Sequence, residues 1–122
     1  MIIASYDTEK NQQINCNCKQ FGHEIQYIKS WKDITTHHII FCVDNQAVTE
    51  DLKGYKVYDL KDFKPIEEDL TVVFGLNSGM KIGHEAIEAI NSGKDVVLIT
   101  IPNKVLWAES AMAIILYKFS KG

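Results

Sequence analysis

"LTVVFGLNSGMKIGHEAIEAINSGKDVVLITI", residues 70–101, decides the fold. An apolar β-type run passes through a glycine-spaced loop into a helix whose apolar face is Ile82, Ala86, Ala89 and Ile90, with Lys81, Glu85 and Glu88 off that face. Gly93 then stands at the C′ position, where a helix commonly ends in a left-handed residue. A second apolar run, "DVVLITI", follows at once. Two apolar runs joined by one amphipathic helix and short turns describe a right-handed parallel crossover.

Downstream, "VLWAESAMAIILYKF", residues 105–119, completes a second β-α unit. Upstream, "HHIIFCVD" is a continuous apolar run of the kind buried on both faces of a parallel sheet. "MIIAS" opens the chain as a strand, after which Asp7 or Thr8 caps a polar helix running to about Phe21, striped by Ile14, Cys18 and Phe21. "HEIQYIK" alternates as a second strand, "SWKDITT" is a helical or turn segment, "QAVTEDL" a short helix, "YKVYDL" an exposed edge strand and "KDFKPIEED" a charged connection. The expected architecture is α/β, a single domain over residues 1–122 with an open, mostly parallel sheet of about five strands flanked by helices.

With 122 residues, 46% of them apolar, the chain can bury one core and not two. Its net charge is −3, and its 13 basic residues, all lysine, are scattered, which argues against duplex nucleic acid as a partner. Without arginine, a phosphate would have to be held by lysine, backbone N–H groups or a helix end. A skewed coding genome explains the missing arginine equally well. Cys16, Cys18 and Cys42 form an odd set without a disulfide framework, and no apolar leader precedes the first strand, so a reducing cytoplasm is expected. The longest apolar run, "SAMAIILY", is far short of the roughly 20 residues that span a bilayer, so no membrane insertion is expected. Cys16-x-Cys18 with His23 lacks zinc-site spacing, and His37 and His38 point to opposite faces of a strand, so no metal and no cofactor is expected.

Parallel sheets bind ligands beyond the C-terminal ends of their strands. That rim collects Ser5, Tyr6 and Asp7, then Asp44 and Asn45, the Gly75 to His84 loop, and Thr100 to Asn103. Gly75, Gly79 and Gly83 recur every four residues, so the backbone can approach a ligand, and the helix that follows offers free N–H groups and a partial positive charge. Asn77 and Ser78 can bond sugar or phosphate oxygens, Met80 lies beside them, and Lys81 is the nearest cation. His84 and Glu85 open the helix, and Glu109 is a candidate to complete the pocket from the C-terminal helix. The spacing matches neither the dinucleotide fingerprint nor the P-loop. In the plain structural reading the glycines only turn the chain, His84 is solvated or capping, and Glu85 answers the helix dipole.

The C-terminal helix is apolar on two sides. Val105, Ala108, Met112, Ile115 and Phe119 form one face, Trp107, Ala111 and Ile114 another. One sheet covers one face, so the other implies either a neighbouring helix or self-association through residues 104–119.

Glu85, Ala89, Gly93, Lys94 and Val96 stand at the spacing Glu-x3-Ala-x3-Gly-Lys-x-Val. Over residues 70–100 this resembles the nucleoside 2-deoxyribosyltransferase family, where a glutamate at the helix start is the nucleophile and a Gly-Lys-Pro-Val-type strand follows. The resemblance implies an α/β nucleoside pocket with Glu85 in the nucleophile's place. In that family a Gly-Thr pair and an acidic residue precede the glutamate; here Lys81 and Gly79 occupy those places, so the acid/base partner is missing. "IGHEAIEAIN" is similar to the Ile-Gly-His-acidic helix opening of viral ring nucleases that cleave cyclic tetra-adenylate, where the histidine is catalytic; that family's following threonine and C-terminal strands are absent. A short, arginine-free chain with a nucleotide pocket and an incomplete catalytic set is also similar to the phage Thoeris anti-defence proteins, which sequester cyclic ADP-ribose signals.

The first reading is therefore a protein that binds a small nucleotide signal or metabolite, ADP-ribose-like or a cyclic adenylate, as a homo-oligomer and without turnover. The alternatives are an enzyme attacking an N-glycosidic bond, with Glu85 as nucleophile assisted by His84 or Asp7, and a protein-interaction module presenting its C-terminal helix.

Overall fold

Runs that are apolar at every position need cover on both sides, and runs that alternate can sit at an edge. The computed structural model, which describes residues 2–6, 19–20, 22–63, 69–74, 82–101 and 108–120, follows that rule. Its strands are β1 (Ile2–Ser5), β2 (Glu24–Tyr27), β3 (His38–Cys42), β4 (Val57–Asp59), β5 (Leu70–Phe74) and β6 (Asp95–Thr100). They form one six-stranded sheet in the order β2-β1-β5-β3-β6-β4, parallel at every pairing. The expectation of about five strands, mostly parallel, was one strand short; the alternating segments around β2 and β4 both join, as the two edges.

Alternation along each strand divides the core into two layers. On one side Ile3, Ile40, Val72, Phe74 and Ile99 pack with Leu60 and Phe63 beneath Met112, Ile115 and Leu116 of α3 (Ala108–Ser120). On the other side Ala4, Ile39, Phe41, Val73 and Leu98 pack beneath Ala47 of α1 (Asn45–Thr49) and Ile82, Ala86 and Ala89 of α2 (Ile82–Asn91), flanked by Ile28, Ile34 and Leu52. The crossovers β2→β3, β3→β4 and β5→β6 step one way across the sheet and place their core residues on the α2 side. The connection β4→β5 steps back and places Leu60 and Phe63 on the α3 side. A single handedness of crossover requires that division.

Local signals set the helix ends. Asp44 caps α1, its Oδ1 accepting from the Ala47 N–H at 2.7 Å. Gly93, at φ +97°, ends α2 in the left-handed region, as its sequence position predicts. Gly83 and His84 lie within α2, Ile82–Asn91, and are helical. A Cβ at Gly83 would stand 2.8 Å from Asp51 Cβ, so this glycine permits the close approach of α2 to the segment after α1. In α3 the buried face includes Leu116, which the sequence reading left out, alongside Met112 and Ile115, with Phe119 at its margin. Val105 and Trp107, the stripe Ile14-Cys18-Phe21 and the caps Asp7 and Thr8 lie outside the described residues.

Candidate functional site

The end of β1 carries the candidate site. Ile3 and Ser5 face α3, so Ala4 and Tyr6 face α2. The chain is pinned there on both sides: Tyr6 N–H donates to Phe74 O at 3.3 Å, and Ile28 N–H to Ser5 O at 2.9 Å. From this position the Tyr6 hydroxyl donates to Glu85 Oε1 at 2.8 Å. The same oxygen accepts the backbone N–H of Trp31 at 3.1 Å, and the Trp31 indole Nε1–H donates to Glu88 Oε2, also at 3.1 Å. Glu85 and Glu88 are one helical turn apart, so a single residue of the β2→β3 turn grips two carboxylates on one flank of α2.

Burial first, then the hydrogen bond to Glu85 and the charges of Glu85, Asp33 and Glu88, push the Tyr6 hydroxyl well above the usual tyrosine range. It therefore stays protonated and acts as a fixed donor. Among the described residues both bonds to Glu85 fall on Oε1, which leaves Oε2 open to a donor or an electrophile. A half-buried carboxylate fixed in this way, on the ligand side of a parallel sheet, can accept hydroxyls of a sugar or attack an electrophilic carbon.

The remaining candidates divide. His84 lies on the opposite flank of α2, its Nε2 3.0 Å from Asp51 Oδ1, and is exposed, so the structure does not bring it to the Glu85 carboxylate. Gly83 is buried against Asp51 and Ala47 and has a packing role. Ser5 is fully buried on the α3 side, and Asp44 is consumed as a helix cap. Thr100 ends β6 buried, its Oγ1 without a partner among the described residues. Asp7, Gly75, Asn77, Ser78, Gly79, Met80 and Lys81 lie outside the described residues, as does the side chain of Glu109 in α3.

Trp31, Glu88 and Asp51 were missed from the sequence. Ser30 and Asp33 form a capping box around Trp31–Asp33, a local signal that places the turn. Nothing local announces that its amide meets a carboxylate 54 residues away. Among the described residues no group of three or more His, Cys, Asp or Glu side chains could hold a metal ion, and no helix is long and apolar enough to cross a membrane. The Cys42 thiol, raised by burial and then by the charge of Asp44 to about 12, is no nucleophile at neutral pH. No protein-family model, curated protein or solved structure matches the chain.

Proposed function

We propose that the chain binds a small nucleotide-type ligand, ADP-ribose-like or a cyclic adenylate, at the C-terminal edge of β1 and β5, and holds it without turnover. The observation that carries this reading is the Glu85 carboxylate, oriented by Tyr6 and the Trp31 amide through Oε1, with Oε2 left by the described residues to accept ribose hydroxyls. Non-consumption is supported by the engagement of His84 with Asp51 and by the raised hydroxyl pKa of Tyr6, which makes it a poor acid for a leaving base. Capture without consumption is sequestration, the mode of the phage anti-defence proteins that the sequence resembles, acting in the host cytoplasm.

A thermal-shift panel of NAD, ADP-ribose, cyclic ADP-ribose isomers and cyclic di-, tri- and tetra-adenylates tests it. A ligand at 1,000 times its dissociation constant adds about 4 kcal/mol, which raises the melting temperature of a domain this size by roughly 10 °C or more. Glu85→Ala should abolish the shift. If no member of the panel moves the wild type, or if Glu85→Ala shifts as far, the reading is wrong.

The second reading, N-glycosidic cleavage with Glu85 as nucleophile, is favoured by the same open Oε2. Release of a free base from deoxynucleosides or NAD by the wild type, lost in Glu85→Ala, would establish it. Self-association through residues 104–119 belongs to the first reading. It is supported by Ile114 and Tyr117 of α3, 45% and 55% exposed on a helix whose other face is buried. Light scattering at micromolar concentration should give a mass above one chain, and a monomer unchanged by dilution rejects it.

A further inference from the structure

The turn between β2 and β3 is closed on itself. Lys29 and Ser30 donate their N–H groups to Asp33 Oδ2 at 3.0 and 3.3 Å, and Lys32 donates to Ser30 Oγ at 3.3 Å. Asp33 N–H reaches Ser30 O and Ile34 N–H reaches Trp31 O, each at 3.0 Å. In this run of amides Trp31 alone sends its N–H outside the turn, to Glu85, and its indole N–H follows to Glu88. The ends, Ile28 and Ile34, are 4% and 3% exposed and anchored in the α2-side core, whereas the residues between them are half-buried or exposed. A longer contact, 3.4 Å from Gln26 Nε2 to Asp33 O, ties the turn to β2.

We propose that residues 29–33 form a strap that swings as one unit about Ile28 and Ile34, latched by Trp31, and that its opening releases the Glu85 Oε1 that the Trp31 amide holds. Opening breaks the two Trp31 bonds and the Gln26 contact, lifts the Trp31 side chain from the margin of the α2-side core and leaves the internal bonds intact, so it is a local event less costly than unfolding. The latch consists of these hydrogen bonds and of the packing of the Trp31 side chain against the α2-side core. Its service as a gate rests on the reading of Glu85 as a ligand contact.

Native-state hydrogen exchange on the full chain, read by NMR, tests the latch. The Trp31 backbone and indole N–H groups should exchange together, faster than the core amides of Ile40 and Val73, with a rate insensitive to low urea. Glu88→Leu removes only the indole's acceptor, yet should speed both protons about tenfold, the effect of one ordinary hydrogen bond. Glu88→Gln, whose amide oxygen still accepts, should restore the wild-type rates. The Ile28 N–H, bound to Ser5 O at the hinge, should not change. Should Glu88→Leu loosen the whole fold, Trp31→Phe removes the indole donor from the other side, and the backbone N–H at that position should again outpace the core. An unchanged backbone N–H in Glu88→Leu, or parity with the core amides in both variants, overturns the proposal. An empty ligand panel leaves this result untouched, and a failed exchange test removes the strap while leaving the site.

Discussion

Tyr6 and Gly83 show how single residues are fixed by neighbours distant in sequence. The Tyr6 hydroxyl donates to a carboxylate across 79 residues, so Tyr6→Phe should cost about 1–2 kcal/mol, the worth of a half-buried bond to a charged acceptor, measured by urea unfolding. Gly83 is set by space: its helical backbone suits any residue, but a Cβ would collide with that of Asp51. Gly83→Ala should therefore destabilise by about 1–3 kcal/mol although alanine is the better helix former. A neutral or stabilising Gly83→Ala would show that α1 and α2 separate freely.

At the scale of elements, the amphipathic helices are held by one face each. Met112 is fully buried on the sheet-facing side of α3, and Met112→Ala should cost about 2–5 kcal/mol in a calorimetric or denaturant measurement. Ile114 on the other face is nearly half exposed, so Ile114→Lys should lie within about 0.5 kcal/mol of wild type in a monomer. A much larger loss that grows with dilution would instead reveal that face as a contact between chains. The adjacent Ile115 and Leu116 are both buried on the sheet side, so that face is wider than the stripe read from the sequence, whereas Ile114 of the second stripe stays exposed.

The whole molecule should be sensitive to alkali. Cys42 ionises near 9 in the unfolded chain and near 12 in the fold, and Tyr6 is raised above its ordinary value near 10. Both folded pKa values are raised, so the stability these groups contribute is fully present below the unfolded values and is lost as pH climbs through the window above them. Unfolding free energy should accordingly fall from about pH 9 upward. Cys42→Ala should flatten the lower part of that fall and Tyr6→Phe the upper part. If both variants track the wild-type slope, neither group is buried in its neutral form.

What the sequence determined by itself was everything that depends on local period and local chemistry. The apolar runs of β3, β5 and β6, the glycine stop at Gly93 and the stripe Ile82-Ala86-Ala89 follow from side-chain spacing, and with them came the α/β class and the rim on which Tyr6 and Glu85 lie. Only the tertiary structure decided the strand order and which rim residues meet. Whether His84 or Trp31 accompanies Glu85 depends on which elements flank α2, and the sheet order sets that: the segment after α1 on one side takes His84 through Asp51, the β2→β3 turn on the other brings Trp31. Hydrogen bonds across 33, 54 and 79 residues leave no periodic trace, because each partner is chosen by the packing of layers and not by its neighbours in the chain.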